Sequence, residues 1–189
     1  MSRWLRMRIA GLKVLNLNII QVLASLIVTV SVASEAVTRV NVSVAVMADA
    51  CVIESGSEDI PLDFGVIVDS FLYLNERTPG LPFEIRLAQC DPEISKTVSV
   101  KFYGNENLAL PGLLSVNEGS SATGIAIGLE TPEAKPLPVN KPGDQYDLLK
   151  GSNVISLRAY VRGEPQALAQ KTIGKGDFSS VATFSLEYE

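Results

Sequence analysis

The sequence contains no histidine, and it has only two cysteines and a single tryptophan. Histidine is the commonest metal ligand and the commonest general base in enzymes, so its absence argues against both kinds of chemistry. We therefore expect no enzymatic activity, no cofactor and no metal, and a sandwich enzyme with the copper–zinc site of superoxide dismutases is excluded. Aromatic residues make up only 6% of the chain, so the core should consist mainly of Val, Ile, Leu and Ala.

Acidic side chains are absent from the first 34 residues, which contain four of the 16 basic ones. If that segment is removed, the remainder has 12 basic and 21 acidic side chains, a net charge of −9. A negatively charged domain of this kind is poorly suited to bind the phosphate backbone of a nucleic acid. We therefore expect no nucleic-acid partner.

Residues 1–36 have the order of a secretory signal peptide. A basic stretch is followed by the apolar run 19–32 and then by small residues up to Ala36. A membrane anchor is the alternative, but the apolar run is shorter than the roughly 20 residues that span a bilayer. We expect a cleaved signal, with cleavage after Ser34 or Ala36 and with Met1 or Met7 as the start, and no other association with a membrane.

The expected export indicates the oxidation state of the two cysteines, Cys51 and Cys90. In an oxidising compartment a single pair is expected to form a disulfide bond. Closing a loop of this length stabilises the fold by roughly 4 kcal/mol on the chain-entropy model. Two free buried thiols are the alternative.

Apolar residues alternate with polar ones along most of the chain after residue 36, which predicts β-strands with one face on a core. No long helical period occurs there. Short strands separated by turn-rich stretches favour a single all-β domain, an immunoglobulin-like sandwich. The alternating apolar rows are Ile60, Leu62, Phe64, Val66 and Val68; Phe83, Ile85 and Leu87; Val98, Val100 and Phe102; Ile125, Ile127 and Leu129; Ile155, Leu157, Ala159 and Val161; Ala182, Phe184, Leu186 and Tyr188.

The segment before the first cysteine has the strongest strand pattern of all, because Val40, Val42, Val44 and Val46 occupy every second position. One interpretation is an ordinary first strand that pairs within its own domain. The other is a strand offered to another molecule by β-augmentation. A one-residue slip would turn all four valines to solvent, so such pairing would have a strictly defined register.

Several short patterns, taken in order, resemble the pilin subunits of the chaperone–usher pathway, the type 1 fimbrial family. The resemblance covers nearly the whole chain after the signal. Two features are specific: a glycine fourteen places from the C-terminus and a penultimate tyrosine, here Gly176 and Tyr188. The supporting pieces are Cys51-Val52-Ile53, Asp63-Phe64-Gly65, Pro82-Phe83-Glu84-Ile85, Cys90-Asp91, Val98 to Gly104, Gly124 to Ile127, Leu157 to Tyr160 and Ala182 to Glu189.

The resemblance implies an immunoglobulin-like sandwich that lacks its last strand, with residues 37–49 as a donor-strand extension and 50–189 as the pilin domain. A periplasmic chaperone would lend a strand first, and a neighbouring subunit's extension would replace it at an outer-membrane usher. The donor residues would be Val40, Val42, Val44 and Val46. The groove and C-terminal motif would comprise Gly176, Phe184, Leu186, Tyr188 and Glu189, with the Glu189 carboxylate meeting basic chaperone residues.

One position departs from the family pattern. The donor segment of such subunits usually has a glycine about seven places before the first cysteine, and here that place is Val44. This departure affects the usual fit between the donor segment and a groove, and it suggests that the segment binds a particular partner. We expect a structural or adaptor subunit of a cell-surface fimbria that contributes to adhesion. A receptor-binding tip adhesin is the alternative, although adhesins usually carry a separate lectin domain.

Other polar clusters have simpler interpretations. Glu54, Glu58 and Asp59 lack the dense oxygen pattern and fixed glycine of a calcium loop, so we interpret them as solvated turn residues. The stretch Gly174 to Asp177 lacks the spacing of a phosphate-binding loop and is interpreted as a turn before the last strand.

Overall fold

We describe residues 49–189 of the protein in a computed structural model. The predicted signal peptide and nearly all of the predicted donor extension, including Val40, Val42, Val44 and Val46, lie outside the described residues. The described part is mostly β. In chain order its elements are β1 (Val52–Ile53), α1 (Asp69–Asn75), β2 (Leu81–Cys90), β3 (Thr97–Tyr103), β4 (Leu114–Ser115), β5 (Ile125–Glu130), β6 (Gln145–Asp147), β7 (Gly151–Gly163), α2 (Pro165–Gln170) and β8 (Thr183–Tyr188).

The strands form two antiparallel sheets. A five-stranded sheet has the order β1-β2-β7-β5-β4, and a three-stranded sheet has the order β6-β3-β8. Their inner faces enclose one hydrophobic core, to which Ile85, Leu157 and Ile127 contribute from the larger sheet and Val98 and Val100 from the smaller. The core is built largely from aliphatic side chains, as the composition predicts.

The alternating rows on β2, β3, β5, β7 and β8 confirm the strands predicted at these places. On β2, for example, Ile85 and Leu87 are buried while Glu84 and Arg86 are exposed. The stretch 60–68, also predicted as a strand, belongs to neither sheet. The two short helices were not predicted, because six or seven residues are too few to display a helical period.

Cys51 and Cys90 form the predicted disulfide bond, and both residues are buried. The bond joins the start of the domain to the end of β2. Next to it, β1 pairs with β2 through only two residues, Val52 and Ile53, and the amide of Asp91 donates a hydrogen bond to the carbonyl of Ala50 (2.8 Å). The cross-link therefore fixes a corner of the domain that has few ladder bonds of its own.

The outer face of the larger sheet carries an ion pair between Arg77 and Glu130. The guanidinium makes two parallel hydrogen bonds to the carboxylate, at 2.8 and 2.7 Å, and the Glu130 side chain is only 3% exposed. The same guanidinium lies 3.6 Å above the ring of Tyr160, whose own ring covers Gly128. Glu130 raises the pKa of Arg77 by its hydrogen bonds, and burial raises the pKa of Tyr160.

No helix among residues 49–189 has the length and apolar character needed to cross a membrane. Within the same residues, no group of three or more acidic or cysteine side chains is placed to hold a metal ion.

We predict that Arg77→Ala destabilises the domain by about 2–3 kcal/mol, because it leaves the Glu130 carboxylate buried and unpaired. Urea unfolding followed by circular dichroism measures this change. The matched control is Arg86→Ala, which breaks the exposed pair with Glu84, whose side chains are 58% and 44% exposed. That change should cost at most about 1 kcal/mol. An equal loss of unfolding free energy in the two variants would show that the buried pair stabilises the domain no more than the exposed pair does.

Candidate functional site

A groove reaches the core between two segments, and its first lip is the stretch 58–68. Within this first lip, Ile60, Leu62 and Phe64 point inward and pack against the core. The row of inward side chains then changes phase at Gly65, which has a positive φ of 60°. Ile67 is therefore half-buried, whereas Val66 is 95% exposed and Val68 is 56% exposed. The prediction that Val66 and Val68 belong to the inward row is wrong for this reason.

The second lip is the stretch 176–184, which leads into and begins β8. The register of β8 against β3 places Phe184 opposite Phe102, Leu186 opposite Val100 and Tyr188 opposite Val98. Since directly opposed residues share a sheet face, the three β8 side chains form one inward row, and all three are half-buried against the core.

Between the lips lies a main cavity of about 430 Å³. Both lips supply its walls, and the floor comes from both sheets. The floor side chains are Phe83, Phe102, Leu114, Ile127, Leu129 and Ala159. The floor of the groove is therefore apolar, and all of these side chains except the half-buried Phe83 are buried.

The backbone at both lips is unpaired across the groove. β8 pairs with β3 on one side, and among residues 49–189 no backbone hydrogen bond joins the first lip to the second. Unpaired N–H and C=O groups at a sheet edge form a template for another strand. The groove thus combines an apolar floor with unpaired backbone at both lips. An additional β-strand needs both features in order to bind.

Gly176 sets the start of the second lip. Its φ is 139°, and a Cβ at this position would lie 2.5 Å from the Cβ of Ser121. Both the conformation and the close approach require glycine. Just before it, Thr123 and Gly174 exchange two backbone hydrogen bonds, at 3.0 and 3.2 Å, which fix the approach to the second lip.

A smaller end cavity of about 290 Å³ lies beyond this point. Gly176 and Phe178 line it from the second lip and Ile67 from the first. An ion pair joins its two rims, with Lys175 Nζ 3.1 Å from Asp69 Oδ2. The hydrogen bond from Lys175 lowers the pKa of Asp69 below its usual range.

The last two residues of the predicted motif lie at the other end of the groove. Tyr188 is half-buried, and burial raises the pKa of its phenol. The main-chain oxygen of Glu189 accepts hydrogen bonds from the amides of Lys96 and Thr97, both at 3.2 Å. The side chain of Glu189 accepts one from Gln145 (2.5 Å). Glu189 is therefore held against the start of β3.

Of the predicted groove residues, Phe184 lines the main cavity and Gly176 lines the end cavity. Leu186 and Tyr188 extend the same inward row beyond the cavity. The main cavity is also lined by Ile60, Leu62, Phe64 and Phe178, which the sequence pattern did not assign to a groove. The alternating apolar row marks the first three as inward, but only the tertiary structure reveals that no strand covers them.

An immunoglobulin-like sandwich with a missing strand and an apolar groove in its place defines the class of pilus subunits. Residues 39–189 match the family model described as fimbrial protein. The chain belongs to this family and is a structural subunit of a fimbria.

The individual relatives are fimbrial proteins, and one of them is an adapter. The chain is 30% identical to the Fimbria A protein of Serratia marcescens over 139 residues, which are 74% of this chain and 77% of that protein. It is 35% identical to the fimbrial adapter PapK of Escherichia coli over 125 residues, 62% of this chain and 68% of PapK. These relatives do not favour the tip-adhesin alternative.

Solved structures agree with this assignment. The P pilus rod subunit PapA is 27% identical and superposes with a TM-score of 0.65, over 75% of this chain and all of that chain. A subunit from the structure of a chaperone–usher pilus gives the same TM-score and identity over 80% of this chain and 95% of that one.

We predict that Lys175→Ala raises the pKa of Asp69 toward its ordinary value of about 3.9, because the hydrogen bond that favours the carboxylate is lost. A group with a lowered pKa in the folded state stabilises that state above its ordinary pKa, and the contribution disappears as the pH falls through the lowered value. An NMR titration of the carboxyl carbon measures the change. Lys150→Ala is the control and should leave Asp69 unchanged; an equal shift would contradict the assignment.

Proposed function

We propose that the groove accepts an extended strand from another protein and that residues 37–49 of this chain supply such a strand to a neighbour. The open groove between two unpaired edges is the observation that carries this proposal. A strand laid there would give β8 a second partner, would cover the half-buried Phe184 and would fill the main cavity. Both gains come from the same insertion, since backbone pairing and side-chain burial are coupled in a strand.

The order of partners follows from the exposed groove. A chain with an open core would aggregate during export, so a periplasmic chaperone would occupy the groove first. A neighbouring subunit's extension would then replace it at the outer-membrane usher. Signal-directed export through residues 1–36 and assembly at the cell surface belong to the same proposal. The chaperone would contact the row Phe184, Leu186 and Tyr188, and its basic side chains would meet Glu189.

The donor role rests on the four alternating valines. Each valine side chain contributes roughly 1.5–3 kcal/mol when it is fully buried. Val40, Val42, Val44 and Val46 would together anchor the extension in a neighbour's groove. Arg39, Asn41, Ser43 and Ala45 would then form the outer face. The role is structural and non-enzymatic, with no cofactor.

We predict that deleting residues 37–47 leaves chaperone binding intact and abolishes joining to the next subunit. The deletion removes the donated strand but no residue of the groove. The experiment co-expresses the chain with a periplasmic pilus chaperone, an usher and partner subunits, then measures chaperone co-purification and subunit–subunit complexes resistant to mild denaturant.

A point variant refines the test. Val42→Lys should reduce joining strongly because it places a charge in the inward row, while Ser43→Lys, one position away on the outer face, should have little effect. Unchanged joining after the deletion would disprove the donor assignment. Equal effects of the two lysine variants would disprove the register.

A further inference from the structure

An exposed apolar patch borders the groove at the end cavity. Val66 and Val68 point outward from the first lip, and Phe71 and Leu74 follow on α1, one helical turn apart. Leu74 is 82% exposed. A depression of about 390 Å³ opens here, and three of the four side chains line it, Val66, Val68 and Phe71. We call the four residues the apical patch. Exposed apolar side chains that cluster in this way mark contacts with other proteins.

The apical patch is continuous with the groove. Val66 and Val68 line the end cavity as well as the depression, and Phe64 lines the main cavity as well as the depression. A subunit that supplies a strand to the groove therefore meets the apical patch if its domain lies at this end. The direction of the inserted strand decides whether it does.

Antiparallel pairing with β8 sets that direction. All strand pairs within residues 49–189 are antiparallel, and antiparallel ladders are the more stable per residue. The second lip runs from Gly176, at the end cavity, into β8 and on to Tyr188. A strand antiparallel to β8 therefore has its own C-terminal end beside the end cavity. The domain of the donating subunit follows the extension in the chain, so it lies next to the apical patch.

The end of the domain at which the extension begins carries a second group of exposed apolar side chains, Val52, Ile94 and Leu149. Val52 adjoins the disulfide bond. Cys90, the other half of that bond, precedes the segment of Ile94 and pairs with Gly151, two residues after Leu149. The three exposed side chains therefore belong to one corner of the domain, and we call them the basal patch.

A short connection keeps the basal patch of a donating subunit close to the groove that it fills. Val46 is the last of the four alternating valines, and Cys51 stands five residues further on. Five residues span at most roughly 18 Å when fully extended. With Val46 directed toward the end cavity, the basal patch of the donating subunit is held near the apical patch of the accepting one.

We propose that the apical patch binds the basal patch of a second copy of this chain, the copy whose extension fills the groove. The inference rests on the proposed function of the groove. The occupant is a second copy because this chain carries both patches, at the two ends that a head-to-tail fibre brings together. Two domains joined only by one strand can bend freely about the connection. An apolar contact beside that strand removes part of this freedom and sets the angle between successive copies.

Photochemical cross-linking tests the contact. Leu74 is replaced by p-benzoylphenylalanine in a tagged full chain, which is purified with a periplasmic pilus chaperone and then incubated with untagged full chain until the copies join. After irradiation, mass spectrometry should locate the adduct in the untagged copy at Val52 or within residues 91–96 or 148–154. The control places the same group at Leu108, which is 99% exposed and belongs to neither patch. Its adducts should not concentrate in those residues.

A second arm changes the basal patch. Ile94→Ser combined with Leu149→Ser in the untagged copy should lower the fraction captured per joined copy at least about tenfold, because most of the apolar contact is lost. Both side chains are exposed in segments outside the strands, so the fold does not depend on them. Leu108→Ser in the untagged copy is the matched control and should leave capture by the group at position 74 unchanged.

Joined copies are counted separately, as complexes that resist mild denaturant without irradiation. If copies join but the adducts lie outside the basal patch, or if the two serine changes leave capture unchanged, the inference is overturned and the function of the groove is not. If copies of this chain do not join one another, the inference is also overturned. Joining to unlike partner subunits then decides whether the proposed function stands.

Discussion

The structure depends on one constraint: the first lip and β8 lie on opposite sides of the groove, and within residues 49–189 neither has a backbone partner across it. Among the strands of residues 49–189, the other sheet edges are the short strands β1, β4 and β6. The first lip has the inward row of a strand, with Ile60, Leu62 and Phe64 against the core, yet it makes no ladder. The missing hydrogen bonds, more than any exposed side chain, define the groove as a site for a further strand.

The two sides of this gap are held by contacts that lie away from it. The six-residue register between β3 and β8 fixes the inward row of β8. On the far side of the larger sheet, the Arg77 guanidinium satisfies both carboxylate oxygens of Glu130 and lies over the ring of Tyr160.

Alternation in the sequence predicts most of the strands, because a row of apolar residues at every second position can be buried only by a sheet. It fails at Gly65, where a positive φ changes the phase and turns Val66 and Val68 outward. Alternation also cannot distinguish a paired strand from an unpaired one. The first lip has the same pattern as β2, and only tertiary structure separates them.

The resemblance implied a groove, and the structure places Phe184 at the main cavity and Gly176 at the end cavity. Which side chains meet across the groove was not predictable. Phe64 and Phe178 are 114 positions apart in the sequence, and nothing local indicates that their rings meet. The same holds for Asp69 and Lys175, since contacts between distant segments depend on how the whole chain folds.

The disulfide has a mechanical consequence for a subunit in a fibre. Tension that reaches the domain through its N-terminal segment arrives at Cys51, where β1 offers only two ladder positions against β2. Those few hydrogen bonds would peel apart one after another under load. The covalent link to Cys90 carries the load past them to the end of β2, which pairs along most of its length with β7. There the force shears many hydrogen bonds at once, and the domain resists pulling with its broadest strand pair.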